Sequence, residues 1–129
     1  MDNYDITDLE STVKALLRSA GVSASIYSNR PKASERKSDF VVVSVNGRVR
    51  DRAAFGECTV LIYLFARDAE GFKNGPMLKK MYEAFRTGFP ATDGRYTFDT
   101  TPVLLGDIAD DYGFHSRIVE IHVNIKATE

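Results

Sequence analysis

The run Glu57-Cys58-Thr59-Val60-Leu61-Ile62-Tyr63-Leu64-Phe65-Ala66 decides the fold. In an extended chain successive side chains point to opposite faces. Thr59, Leu61, Tyr63 and Phe65 then share one face, and Cys58, Val60, Ile62, Leu64 and Ala66 share the other. Both faces are apolar, which is the pattern of a central strand covered on both sides. In a small domain one cover is a helix, and the other is a second helix or a neighbouring subunit.

After this strand a polar connection, Arg67 to Gly75, leads to Pro76, a residue suited to a first helical turn. Met77, Leu78, Met81, Tyr82, Phe85 and Phe89 recur at helical spacing, and Lys79, Lys80, Glu83 and Arg86 form the wet side. This helix ends near Gly88 and cannot pass Pro90. The stripe reads as core rather than as a ligand groove. Before the strand, Phe40 to Val45 is a valine-rich strand, followed by Asn46-Gly47, a strong hairpin signal. Arg48-Val49-Arg50-Asp51-Arg52 shows no clear returning strand, so the pattern predicts a protruding arm.

Thr7-Asp8-Leu9-Glu10 has the form of a capping box with Thr7 as N-cap, and Leu9, Val13, Leu16, Leu17 and Ala20 predict a first helix over 8–20. Ala24 to Ser28 fits a short strand, and Asn29 to Ser38 is a polar, basic loop. Pro90 to Gly94 reads as a turn; Arg95 to Thr100 and Pro102 to Ile108 fit strands. Val119, Ile121, Val123 and Ile125 alternate with Glu120, His122, Asn124 and Lys126 in a half-buried closing strand. The expectation is a single α+β domain over residues 1–129. Two helices pack on a mostly antiparallel sheet of four or five strands, in the order α-β-β-β-α-β-β, with exposed loops at 30–38 and 46–56.

The chain has 129 residues, 43% hydrophobic and 27% charged, which excludes a disordered, collagenous or membrane-bundle composition. No apolar run approaches the ~20 residues that span a bilayer, and the acidic start Met1-Asp2-Asn3-Tyr4-Asp5 does not read as a signal peptide. One cysteine, Cys58, excludes an internal disulfide and a multi-cysteine zinc site. Net charge is −1 but unevenly spread. Residues 1–10 hold four acids and no base, residues 30–52 hold seven bases against three acids, and residues 93–111 hold five aspartates against Arg95. Separated patches of opposite sign suit head-to-tail contact between copies, and they also suit solvated loops.

Chemistry-bearing constellations are sparse. His115 and His122 are seven apart, so on one strand they face opposite sides and cannot pair. Cys58, inside the central strand, reads as a small hydrophobe. Asp107, Asp110 and Asp111 lack the ligand spacing of a cation loop and read as a turn. No catalytic, cofactor-binding or metal-ligating residue is assigned. Arg48, Arg50 and Arg52 alternate and share one side of an extended arm; with Arg36 and Lys37 they are the candidate residues for facing a neighbouring subunit or nucleic-acid phosphates. The alternative reading is thus a small nucleic-acid-binding α+β module using segment 30–52. No stacking aromatics are interleaved there, and the chain as a whole is not basic.

The layout resembles the phage tail-completion, or tail-terminator, family. The resemblance lies in an amphipathic first helix, a basic loop, the strand Asp39-Phe40-Val41-Val42-Val43-Ser44-Val45 and the long strand from Thr59 to Ala66 ending at Arg67-Asp68. A second helix follows, and the closing strand begins Ser116-Arg117-Ile118-Val119-Glu120-Ile121-His122-Val123. It runs from about Leu9 to Ile125 and is weakest over Gly94 to Tyr112. It is a pattern of elements rather than a sharp motif. The resemblance implies a structural protein without enzymatic activity or cofactor. It would form a homo-oligomeric ring, usually a hexamer, at the head-proximal end of a phage or prophage tail. Tail-tube and head-connector proteins would be its partners, DNA would pass transiently through it, and it would have no membrane attachment. Its place would be the virion or the cytoplasm of the bacterial host.

Overall fold

Two strands of equal length form the spine of the molecule. The computed structural model describes residues 4–28, 38–45, 48–98, 103–110 and 112–127. In chain order the elements are α1 (Leu9–Ser19), β1 (Ser25–Tyr27), β2 (Phe40–Val45), β3 (Arg50–Asp51), β4 (Gly56–Arg67), α2 (Gly75–Gly88), β5 (Ala91–Asp93), β6 (Tyr96–Phe98), β7 (Val103–Ala109) and β8 (Phe114–Ile125). β4 and β8 pair antiparallel along their whole lengths, from Gly56 opposite Ile125 to Arg67 opposite Phe114. Each then carries two shorter strands on its outer edge. β2 and β3 lie end to end on β4, and β7 and β6 lie end to end on β8. β1 extends the sheet beyond β2, and β5 extends it beyond β6.

This corrects the expected architecture of four or five strands ordered α-β-β-β-α-β-β. The described residues form two helices and eight strands in a curled, mixed sheet, with four strands before α2 in the chain and four after it. The reason is physical. β1, β3, β5 and β6 are two or three residues long. A period of two needs at least four residues to register; β1 and β6 fall inside segments expected as strands, while β3 and β5 are set by their neighbours and went unread. β5 falls where a turn was expected. β1 pairs with β2 in parallel, Ser25 opposite Phe40, which makes the sheet mixed. Parallel neighbours need a connection of about a dozen residues, which the sequence separation between Tyr27 and Phe40 allows.

Both helices lie on one face of the sheet. Leu9, Val13 and Leu17 of α1 and Leu78, Met81 and Phe85 of α2 are buried against Val41, Val43, Val60, Ile62, Leu64, Val119 and Ile121. The α1 stripe works as its spacing requires, but the capping box does not form. The N-cap is Asp8, without a side-chain cap, and Thr7 instead bonds to Asp5. Asp8 is occupied by Arg95 at 2.8 Å and by the hydroxyl of Tyr96, so the start of α1 is tied to β6. Burial and donation to Asp8 push the Tyr96 hydroxyl up to about 12. α2 is capped by Asn74, whose Oδ1 accepts from the Met77 amide, with Pro76 in the first turn.

Among the described residues, the opposite face carries no helix. Phe40, Val42, Phe65 and Phe114 form a small buried cluster there, edged by Tyr27 and Tyr63. Phe40 stacks on Phe65 at 4.4 Å and meets Phe114 edge-on at 5.4 Å. Further along β4 the same face opens into a shallow groove lined by Ser44, Thr59, Leu61 and Glu120. The second apolar face of β4 is therefore covered by aromatic rings at one end and half-exposed at the other.

Candidate assembly surface

The candidate arginines sit on the β4 side of the sheet. Asn46-Gly47, Arg36 and Lys37 lie outside the described residues. The expected protruding arm is instead folded back. Arg50 lies opposite Glu57 and Asp51 opposite Gly56, so β3 laces the segment to the start of β4. Tyr4 fixes it further by donating its hydroxyl to Asp51 at 3.0 Å. Its ring lies so close over Gly56 that a Cβ there would come within 2.7 Å. Val49 packs toward the core, while Arg48, Arg50 and Arg52 are exposed. The alternation thus separates an inward residue from outward charges, as strand geometry requires. Arg52 reaches Glu57 at 3.7 Å.

The other outer edge is built differently. β7 pairs with β8, and among the described residues no strand lies against its outer side. Its ladder is interrupted by a bulge between Leu104 and Gly106, where Gly106 takes φ +98°, a conformation that favours glycine. Leu105 is the extra residue. Leu104, Leu105 and Ile108 are exposed at 46%, 48% and 53%. Phe72 and Tyr112, on the turns beside this edge, are exposed at 77% and 57%. Among the described residues these five are the large apolar side chains that face solvent.

A charged clamp holds the strand in place. Arg117 of β8 grips Asp107 of β7 with both ends of its guanidinium, Nε to Oδ1 at 2.9 Å and Nη2 to Oδ2 at 3.1 Å. Lys73 adds a third donor at 3.3 Å, tying the turn that carries Phe72 to the same carboxylate. The Arg117 hydrogen bonds hold the Asp107 carboxyl below its ordinary value and raise the guanidinium in turn. Arg117 also lies over the Tyr82 ring of α2, 5.9 Å from its centre. Asp110 builds the next turn, its Oδ1 accepting from the Tyr112 and Phe114 amides.

The remaining candidates are dispersed. His115 and His122 both sit on β8 and face opposite sides. His115 Nδ1 is 2.6 Å from Asp68, and His122 lies between Glu57 at 3.9 Å and Glu120 at 3.6 Å. Cys58 is buried under the helices, and that burial pushes its thiol up to about 11, far from a nucleophile's range. Asp107 and Asp110 serve different partners, and Asp111 lies outside the described residues. Among the described residues no three His, Cys, Asp or Glu side chains are placed to hold a metal ion, and no helix is long and apolar enough to cross a membrane.

The strand expected over Pro102 to Ile108 is β7, but its bulge and its apolar outer edge were not read from the sequence. The signal was the consecutive pair Leu104-Leu105 directly before a glycine, which breaks alternation where a bulge sits. Comparison of the chain with protein-family models and with curated proteins gives no match.

Proposed function

We propose that this protein is a structural, non-enzymatic subunit of a ring like those of phage tail-completion proteins, closing the head-proximal end of a tail. The observation that carries the reading is the folded arm. Backbone pairing and Tyr4 hold Arg48, Arg50 and Arg52 outward at one edge of the sheet. A basic edge on a fixed backbone favours contact with an acidic surface of the next copy, because little backbone entropy is lost on docking. A contact between two unlike patches is heterologous and closes a ring when the rotation per subunit allows it. Size is compatible with the role. A chain of this length has a radius of gyration of about 14 Å, or about 36 Å across as a sphere. Six touching spheres enclose a hole as wide as one of them, enough for duplex DNA.

Native mass spectrometry and negative-stain imaging of the full chain over a wide concentration range test this. Closed rings with a central hole are the expected result, and the triple variant Arg48→Glu, Arg50→Glu, Arg52→Glu is expected to lose them. Wild-type protein that stays monomeric throughout overturns the reading, and rings untouched by the triple variant remove the arm from the joint. The same arginines could instead meet phosphates. Salt-dependent DNA binding in a low-salt anisotropy titration, with no rings, replaces the ring by a nucleic-acid module.

A further inference from the structure

We infer that the outer edge of β7 is a two-fold joint at which a second copy of this chain adds its own β7, continuing the sheet from one subunit into the next. The inference goes beyond the ring reading and uses a different surface. Three observations carry it. The first is the open edge itself, seven residues long with no strand beside it among the described residues. Such an edge offers a row of backbone donors and acceptors to an added strand.

The second is where the exposed apolar surface lies. Among the described residues, the large apolar side chains that face solvent are Leu104, Leu105 and Ile108 on β7 and Phe72 and Tyr112 beside it. An apolar strip gains most by meeting another apolar strip. These side chains stand on both faces of the β7 edge, Leu104 on the face of Val119 and Ile108 on that of Ser116, and no second apolar edge of that kind lies among the described residues, so the complement on another copy is the same edge. A patch that pairs with itself does so about a two-fold axis. Strands related by an axis perpendicular to the sheet run antiparallel, the pairing that β7 already makes with β8. The five side chains expose on the order of 500 Å² per copy, or about 1,000 Å² between two copies, the lower bound for a specific interface, to which the paired strand backbones add.

The third is charge. Two copies of one strip place like charges together, which opposes association. Asp107 is the one charged residue of β7, and it is turned to Arg117 and Lys73 within its own subunit. Lys73 and Arg117 thus neutralise the strand that two copies would bring together. An unanswered aspartate there would act as the inward charge that blunts an edge. The clamp removes that obstacle, and Leu104, Leu105 and Ile108 are left to meet their counterparts.

Native mass spectrometry and sedimentation velocity of the wild-type chain and of the double variant Leu105→Lys, Ile108→Lys test the joint. The expected result is a wild-type population of dimers or other even-numbered species. The double variant is expected to dissociate about a hundredfold or more more readily, while keeping the wild-type circular dichroism spectrum. Leu105→Ser, Ile108→Ser gives the same reading with less charge if the lysines disturb folding, and Ile108→Val keeps the dimer. A wild-type monomer at all concentrations overturns the joint, as does a double variant that associates like wild type. Rings that survive the double variant with no loss of association between them overturn the joint and leave the ring reading standing. Dimers lost in the double variant, with no rings in wild type, support the joint and overturn the ring.

Discussion

The face of the sheet under the helices and the outer edge at β7 use the same residue types and meet opposite fates. Leu64, Ile62 and Ile121 are fully buried beneath α1 and α2, whereas Leu104, Leu105 and Ile108 stand about half exposed. Composition does not separate them. What separates them is reach. Two amphipathic helices cross the middle of the sheet over β2, β4 and β8, and no described element crosses to the far side of β7. Stability therefore resides in the first region. The second is held by polar means, the Asp107–Arg117 clamp and a glycine bulge, and its apolar side chains contribute little to folding.

The largest expected effect tests that division directly. Phe85 of α2 is fully buried and stacks on Phe89 at 4.9 Å. Phe85→Ala should cost about 3–5 kcal/mol in a denaturant titration, from lost transfer energy plus a cavity. Ile108→Ala at the edge should stay within about 0.5 kcal/mol. Similar losses for both would show that the edge is part of the folding core and break the comparison.

A second effect probes how tightly the helix layer is closed. A Cβ at Gly88 would lie 2.8 Å from Cβ of Ala20 and 3.2 Å from the Leu16 carbonyl, where the end of α2 meets the end of α1. Propensity alone favours alanine over glycine in a helix by about 1 kcal/mol. The close approach outweighs it, because overpacking of this kind costs about 1–3 kcal/mol. Gly88→Ala should therefore lower the unfolding midpoint. A raised midpoint would mean that the helix ends give way and that the covered face is looser than its contacts imply.

The sequence announced these two regions unequally. β2, β4 and the second half of β8 were readable because each offers six or more residues of apolar or alternating pattern, and α2 because its stripe runs four turns. The helix-covered side of the core follows from those elements alone. The edges were readable only in part. β1, β6 and β7 fall on expected strands, whereas β3 and β5 are too short to carry a period, and the Leu104–Gly106 bulge of β7 left no readable period of its own. The arginines of the arm were visible as a pattern, but their fixing by Tyr4 was not, because Tyr4 and Asp51 lie 47 residues apart. The grip of Arg117 on Asp107 was equally hidden. It depends on the β7–β8 register, and one step of slippage would turn the two side chains to opposite faces.

The smallest effect concerns that grip. Arg117 holds the Asp107 carboxyl below its ordinary value of 3.8 through hydrogen bonds, with Lys73 adding to them. A carboxyl whose value is lowered by folding binds fewer protons in the folded than in the unfolded chain. Its contribution to stability is complete above the ordinary value and is lost as pH falls through the lowered one. Asp107→Asn should cost about 1–2 kcal/mol at neutral pH, since Arg117 keeps one neutral acceptor in place of a paired carboxylate. The gap between variant and wild type should narrow as the pH drops below about 4, where wild type begins to lose the same interaction. A gap that holds constant into acid would assign the loss to packing rather than charge. The clamp would then be one more part of the apolar core, and the polar edge would no longer differ in kind from the covered face.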